Sequence, residues 1–561
     1  MPEIVRRAVD EAALARLVAA GVDARLARLF VARGVTDAAE LETALPRLHP
    51  PKALAHVDEA AALLADAIAG GKRLLIVADY DADGATACAV GLRALRAMGA
   101  VVDFIVPDRF RFGYGLTPEI VRIAAERRPD ILITVDNGIA SVEGVEEANR
   151  LGMRVLVTDH HLPGASLPGA ACIVNPNQPG CAFPSKHLAG VGVIFYVMMA
   201  LRAELRRRGA FVDRTEPNLG TLLDIVALGT VADVVRLDAN NRILVAQGLA
   251  RIRAGEACAG ILALMKVAGR APQRAGAYDL GFVVGPRLNA AGRLEDMSVG
   301  IECLATDDAG LAGELAAKLD RLNHERREIE ADMQESALAM LSGVEAGEGY
   351  SLAIHHPGWH AGVVGILASR LKDRLHRPVF AFATDGTGTL KGSGRSIPGL
   401  HLRDALDLVA KRAPGVIERF GGHAAAAGAS IPAARFDQFR EAFESVAREL
   451  LTAADLEQRI DTDGELGAAD LSLEFALALR ERVWGQGFPE PRFTGRFSVE
   501  SQRIVAGRHT KLMLACGGQR VNAMRFGEAK ALPARIDAVY RLDVNEFNGT
   551  RSLQLIVEHW E

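Results

Sequence analysis

The chain has 561 residues, 49% of them hydrophobic and 24% charged, a balance that excludes a disordered or collagen-like chain and, at roughly 150 residues per domain, predicts about three or four globular domains. A formal net charge of −5 excludes a chain that is basic throughout, yet a local positive groove remains compatible with it when a cluster of acids is reserved for metal ions. The six cysteines are scattered with no CxxC pair, which argues against a zinc module or a disulfide framework and fits a reducing cytoplasm.

Residues 1–55 read as a helical segment ending near Pro46, Pro50 and Pro51. Arg6, Arg7, Asp10 and Glu11 interrupt this start before an apolar run forms, so no secretory signal is expected. Residues 56–300 form the expected first α/β domain. Within it, β-branched runs at Leu74–Ala78, Val101–Val106, Ile131–Val135 and Arg154–Val157 alternate with helical patterns at Ala85–Met98, Pro118–Arg127 and Val142–Leu151. That rhythm predicts a parallel sheet covered by helices, with ligands at the carboxyl ends of its strands. Val191 to Leu201 is too short to span a bilayer and reads as a buried helix. Residues 301–342 are expected to form a connector helix, unbroken from near Ala309. Residues 343–455 restart an α/β pattern, with strands near Ser351–His355 and Val379–Ala383.

Residues 456–561 turn to β. Strands are predicted at Arg496–Val505, Leu512–Ala515, Arg520–Phe526 and Ile536–Asp543, with Val544–Phe547 and Ser552–Val557 joined by Asn548-Gly549. Five or six strands in so short a span predict a small barrel of OB type. The fold class is therefore α/β: a parallel-sheet domain, a long connector helix, a second α/β domain and a C-terminal OB-like β-barrel.

Acids cluster where the sheet rule places function. The first strand is followed by Asp79-Tyr80-Asp81-Ala82-Asp83-Gly84. Three alternating carboxylates repel one another, and a hard or borderline dication relieves that repulsion. A solvated turn or a calcium loop are the alternatives, but no Glu closes a calcium loop here. Asp136-Asn137-Gly138 follows the third strand, Asp159-His160-His161 the fourth, and Asp233 ends an apolar helical run. Carboxylates with histidine, one of them able to bridge, suit a pair of Mn²⁺ or Mg²⁺ ions about 3.5–4 Å apart, as used in phosphoryl displacement. No thiolate joins the set, and there is no P-loop lysine motif or GxSxG elbow.

Nine motifs carry a resemblance along most of the chain: DYDADG at 79–84, PDRFRFGYGL at 107–116, VDNG at 135–138, TDHH at 158–161, LGTVADVV at 228–235, GPRLNAAGR at 285–293, WHAGVVGILASRL at 359–371, GSGRS at 392–396 and GGHAAAAG at 421–428. Together they resemble the DHH phosphoesterase superfamily and, within it, the RecJ single-strand-specific exonucleases. The resemblance implies a DHH domain, a DHHA1-type second domain, and 5′→3′ release of nucleotides from single-stranded DNA with two divalent cations, Mn²⁺ or Mg²⁺, in repair and recombination. It implies that Asp79, Asp81 and Asp136 hold one ion, and that Asp83, Asp136, His160 and Asp233 hold the other. His161 would contact the scissile phosphate or the leaving oxygen, and Asp159 would orient a histidine.

Substrate contacts are expected from Arg109, Arg111 and Tyr114, with Phe112 beside them. Further contacts are expected from Arg287, Asn289 and Arg293, in a segment broken by Gly285, Pro286 and Gly292, and from Trp359 and His360. Ser393, Arg395 and Ser396 would form a phosphate-cradling loop, and Gly421, Gly422 and His423 a close-approach site. In the barrel, Arg496, Arg503, Arg508, His509, Lys511, Arg520 and Arg525 supply charge, and Phe526, Tyr540 and Phe547 are aromatics for bases. Single-stranded DNA is the expected partner, with a helicase and a single-strand-binding protein assisting a monomeric, cytoplasmic, membrane-free chain. Deleting the region from about residue 458 is expected to weaken strand binding and leave the metal site able to cut short oligonucleotides. A small-substrate phosphodiesterase would need neither connector nor barrel, and a non-catalytic scaffold would not keep the full ligand set.

Overall fold

The chain opens on a strand where the sequence predicts only helix: β1 (Glu3–Arg6). Two short helices follow, Glu11–Ala19 and Ala24–Val31, started by Asp10 and Asp23, whose side chains accept the first free backbone N–H groups. The computed structural model describes residues 2–107, 115–341, 349–386, 388–547 and 549–561. It divides into two compact units, residues 6–320 with 461–561 and residues 1–5 with 321–460.

The larger unit holds the predicted parallel sheet. Its strands are β2 (Arg73–Ala78), β3 (Val101–Ile105), β4 (Ile131–Val135), β5 (Arg154–Thr158) and β6 (Cys172–Val174), in the order β3-β2-β4-β5-β6. The three central strands are buried on both faces, as helices covering both sides require. The sequence predicts the first four; β6 is three residues long, too short to show a period. Register decides the rest. Ala78 pairs with Val135, and Val135 with Thr158, so Asp79, Asp136 and Asp159 leave neighbouring strands at the same level.

The connector is shorter than predicted. The helix Ser298–Ala305 stands apart from the long helix Ala309–Leu341, because Asp308 accepts from the N–H groups of Gly310 and Leu311 and starts a new helix. The long helix runs from the larger unit into the smaller. No helix among the described residues is long and apolar enough to cross a membrane.

The smaller unit contains β7 (Leu352–His355), β8 (Val379–Thr384), β9 (Thr389–Arg395), β10 (Arg419–Gly422) and β11 (Ala426–Pro432), ordered β10-β11-β9-β8-β7. Only β7 and β8 were predictable. The other three strands are rich in glycine, which ordinarily weakens a strand, and in β9 packing requires two of the glycines. A Cβ at Gly392 or Gly394 would lie 2.2 Å or 2.4 Å from the rings of Phe382 and Phe380. Those two rings pack with Phe439 and Phe443 in the core.

After β12 (Arg459–Thr462), which pairs with β1, the chain builds a closed barrel in the larger unit. Its strands are β13 (Phe493–Val505), β14 (His509–Cys516), β15 (Gln519–Arg525), β16 (Arg535–Phe547) and β17 (Thr550–Trp560), closing in the order β13-β14-β15-β17-β16. The two strands predicted at 536–547 are one. Tyr540, expected as a base-stacking ring, is buried against Phe493 and Phe497.

The segment leading into the barrel is locked to the N-terminal helices. Arg33 and Asp463 have side chains only 1% and 2% exposed and meet at 2.8 Å. Arg33 also donates to the carbonyls of Leu29 and Pro489, and its guanidinium lies 5.1 Å from the Trp484 ring centroid. Trp484 in turn stacks with Phe30 and Phe488. A deletion from about residue 458 therefore removes Asp463, Trp484 and Phe488 and strips Arg33 of its counter-ion and its aromatic cover, so it is not the clean separation of barrel and catalytic domain expected from sequence. Asp463→Ala is expected to cost about 3–5 kcal/mol of stability, the penalty for orphaning a buried charge. Denaturant unfolding measures it, and a loss below about 1 kcal/mol would assign the pair the worth of a surface ion pair.

Candidate metal centre and phosphate-binding elements

Each acid at the sheet edge is fixed by backbone chemistry. Asp81 caps the helix Ala82–Ala97, its Oδ1 accepting from the N–H groups of Asp83 and Gly84 at 2.9 and 3.0 Å. Asp83, 1% exposed, accepts from Gly190 N at 2.6 Å and Val191 N at 2.9 Å. These N–H groups open the buried helix Gly190–Arg207, whose N-terminus favours an anion. Asp136 has φ +63°, in the left-handed region that Asp tolerates better than most residues. Its N–H continues the ladder to Thr158 O at 3.0 Å.

The histidines hang from β5. Asp159 is 1% exposed. Its Oδ1 accepts from His160 N and His161 N and lies 2.8 Å from His161 Nδ1, and its Oδ2 accepts from Ile139 N. Asn175 and Asn177 donate to the carbonyls of His161 and His160 at 2.9 and 2.6 Å. Asn137 donates to the carbonyls of Val77 and Val135, tying β2 to β4. Sequence reasoning missed these three asparagines and Gly190. The signal was present: Asn175-Pro176-Asn177 directly follows β6 at the same edge.

The ligand atoms converge. Those of Asp79, Asp81 and Asp136 lie within 4.8 Å of one another, as do those of Asp83, His160 and Asp233, and those of Asp136, His160 and His161. His160 Nε2 is 3.1 Å from Asp136 Oδ1 and 3.5 Å from Asp233 Oδ2.

Electrostatics show what the cluster lacks. Burial, then the charge of Asp81, pushes the Asp83 carboxyl up to about 7, in spite of its two backbone donors. Burial and the surrounding carboxylates hold Asp136 and Asp233 well above the ordinary range. Asp233 Oδ2 is buried and accepts no hydrogen bond among the described residues. Oxygen donors with imidazole and no thiolate, crowded until they resist ionisation, fit hard or borderline dications. His161 behaves differently. Burial opposes its protonation, but the bond to Asp159 and the charges of Asp159, Asp79 and Asp81 prevail and raise it to about 9. Burial likewise opposes ionisation of Asp159, but His161, His160 and the Ile139 N–H outweigh it and lower its pKa.

Several predicted substrate contacts are placed otherwise than expected. Arg287, Asn289 and Arg293 lie on one continuous helix, Gly285–Leu294, not in a broken segment. Arg287 pairs with Asp320 on the long helix at 2.8 Å, and Asn289 Oδ1 accepts from Ala82 N at 2.9 Å, so Asn289 holds the start of the helix Ala82–Ala97 beside the metal-site loop. Arg109, Arg111, Phe112 and Tyr114 lie outside the described residues.

In the smaller unit, Trp359 is 5% exposed and packs in the core with Val363 and Leu367, so its ring has no face to offer a base. His360 Nδ1 accepts from Gly362 N. Ser393 and Arg395 belong to strand β9, not to a loop; Arg395 donates to Ser393 Oγ at 3.0 Å. Ser396 Oγ donates to Leu400 O. Ser393 pairs with Gly428, and Gly428 with Gly421, so these positions form a row across three strands. Gly422 has φ +139°, and a Cβ there would lie 2.5 Å from Ala426 O; His423 N bonds Ala426 O to close the turn. On the barrel, Phe526 is exposed, as are Arg503 and Arg508, while Arg496, Arg520 and Arg525 pair with Asp537, Glu500 and Glu528. The side chain of Phe547 lies outside the described residues.

Three family models match the chain: the N-terminal domain of the DHH family over residues 73–230, the DHHA1 domain over 348–449 and the RecJ OB domain over 462–559. The single-stranded-DNA-specific exonuclease RecJ of Dickeya dadantii is 52% identical over 550 residues, 96% of each chain. The chain belongs to the RecJ family. The RecJ of Escherichia coli is 49% identical, covering 99% of this chain and 98% of that one. The crystal structure of RecJ in complex with Mn²⁺ from Thermus thermophilus superposes with a TM-score of 0.82 at 30% identity, covering all of this chain and 79% of that one.

The raised carboxyls set a sign for stability. Asp83 ionises near 3.9 when unfolded and near 7 when folded without metal, so the metal-free fold binds more protons between those values. The contribution of this shift to the stability of the metal-free fold is fully present below about pH 4 and is lost as pH rises to about 7. Dications bind the ionised carboxylates of the folded state and reverse the trend. The melting temperatures in Mn²⁺ and in EDTA are expected to diverge as pH rises from about 5 to about 8. A gap that stays constant or narrows contradicts the assignment.

Proposed function

We propose that the protein is a single-stranded-DNA-specific 5′→3′ exonuclease that releases nucleotides by two-metal-ion phosphodiester hydrolysis in DNA repair and recombination. One observation carries the reading: the convergent acid and imidazole cluster shares a compact unit with an OB barrel, in a chain similar to RecJ proteins from end to end. In this reading Asp79, Asp81 and Asp136 hold one Mn²⁺ or Mg²⁺ ion, Asp83, Asp136, His160 and Asp233 hold the other, and Asp136 bridges them. The bound cations supply an activated water and neutralise charge on the phosphate.

The chain's own residues do the rest. Asp159 fixes the ring of His161 through Nδ1 and favours its protonated form. His161 then donates from Nε2 to the scissile phosphate or the leaving oxygen. Gly190 gives Asp136 its room: a Cβ there would lie 2.7 Å from the Asp136 side chain. Arg109, Arg111, Tyr114, Arg293, His360, Ser393, Arg395, Ser396, Gly421, Gly422 and His423 are the proposed contacts to the strand. Asn289 serves it by holding the start of the helix that follows the metal-site loop.

A strand-selective enzyme needs a supply of single strand, so a helicase and a single-strand-binding protein are its proposed assistants. All six cysteines are free, which suits the cytoplasm. A monomer is the proposed state.

The test is a timed digest of DNA labelled at either end, single- or double-stranded, with Mn²⁺, Mg²⁺ or EDTA. Degradation of single strands from the 5′ end, stopped by EDTA, is expected. Asp136→Ala is expected to abolish turnover in a folded chain, and His161→Ala to slow it by about 10²–10⁴-fold while metal content stays normal. Attack from the 3′ end, equal cleavage of duplex, or an active Asp136→Ala protein contradicts the reading.

A further inference from the structure

Asp233 is held differently from the other candidate ligands. Backbone N–H groups fix the carboxylates of Asp81, Asp83 and Asp159, whereas Asp233 Oδ2 accepts no hydrogen bond among the described residues. Its place beside His160 and Asp83 therefore depends on the backbone that carries it.

That backbone is strained. Asp233 ends the helix Leu223–Ala232, and the next residue, Val234, has φ +62°, a left-handed conformation that is an outlier for a β-branched side chain. Val234 is 61% exposed, so its own packing does not hold it there. Strain of this kind persists only where the surroundings over-determine the conformation.

Two neighbours in the larger unit do so. One is the helix Ala239–Ala254, from which Asn241 donates to Arg236 O and Arg242 to Leu237 O, each at 2.9 Å. The other is the turn that precedes the barrel. Leu237 N donates to Gln486 O at 2.8 Å, and Gly485 and Phe488 exchange backbone hydrogen bonds at 2.9 and 3.1 Å to close that turn. The approach is close enough to need both of its glycines. A Cβ at Gly485 would lie 2.7 Å from Leu237 Cδ1, and one at Gly487, whose φ is +67°, 2.4 Å from Arg236 Cγ. The turn is itself fixed: Phe488 is buried and stacks with Trp484 at 5.4 Å. Arg242 lies 4.3 Å from the Phe488 ring centroid, so the side chain that holds Leu237 O also packs on the turn.

We propose that the turn Gly485–Phe488 positions Asp233. It clamps Val234–Leu237 in the strained course that presents the carboxylate to His160 and Asp83, so the segment leading into the barrel tunes the affinity of that metal position. Gly485 and Gly487 are positioning residues, acting through Leu237 and Arg236. The inference rests on the reading of Asp83, His160 and Asp233 as one metal position, and the experiment separates the two.

The metal-free full chain is titrated with Mn²⁺, the free ion being read by electron paramagnetic resonance. Leu237 is buried, so the methyl introduced by Gly485→Ala passes its clash to the Leu237 backbone. Gly485→Ala is expected to weaken one of two Mn²⁺ positions by about 10–100-fold, the range for loss of a partner that orients a ligand, and to leave the other unchanged. Asp233→Ala is expected to weaken the same position. The Gly485→Ala/Asp233→Ala protein is expected to bind as Asp233→Ala does, because a contact that acts only through Asp233 then has nothing to act on. Leu237→Val removes the Cδ1 that the new methyl meets and is expected to restore most of the affinity lost in Gly485→Ala. Gly487→Ala, whose Cβ meets the exposed Arg236 side chain, carries the same test if Gly485→Ala does not fold. Wild-type binding of both ions by the glycine variants overturns the clamp. Equal weakening of both positions, or a further loss in the double variant, overturns it too, since either means general damage to the fold. If Asp233→Ala keeps both ions at wild-type affinity, the metal reading of Asp233 falls and the clamp with it; if Asp233→Ala loses an ion and the glycine variants do not, only the clamp falls.

Discussion

Everything at the candidate site depends on one electrostatic constraint: carboxylates packed together at the edge of a sheet where water cannot screen them. Asp83 and Asp136 are each 1% exposed, and the cost of ionising them is visible in their raised pKa values. A chain keeps such a cluster only if something outside the protein neutralises it. The surrounding structure is arranged to hold the acids in place for that neutralisation. Helix N-termini hold Asp81 and Asp83, the strand ladder holds Asp136, and a ring of backbone donors holds Asp159.

Much of this was legible in the sequence because two simple periodicities govern it. The alternation of strands and helices between residues 73 and 235 predicts a parallel sheet, and parallel register puts the residue after each strand at a common edge. Asp79, Asp136 and Asp159 were found that way. Asp233 was legible only in company, since it ends a helix and no strand points to it.

What was not legible has physical reasons. β6 is too short for a period, so Asn175 and Asn177 were overlooked although they hold the backbone of both histidines. β9, β10 and β11 are rich in Gly, Ala and Ser and carry no clear strand period; Gly392 and Gly394 of β9 are glycines because Phe382 and Phe380 leave no room for a Cβ. Trp359 and Tyr540 are candidate contacts by residue type, for which packing is the alternative, and both are buried. The Arg33–Asp463 pair joins residues 430 apart in sequence, and no local pattern announces such a contact.

The central claim is that Asp136 stands between two metal ions sharing one edge. Electron paramagnetic resonance of the metal-free chain titrated with Mn²⁺ tests it most directly. At two equivalents, the account predicts the broadened spectrum of an exchange-coupled pair in the wild-type protein. Two independent, uncoupled Mn²⁺ signals at that stoichiometry would contradict a bridged centre.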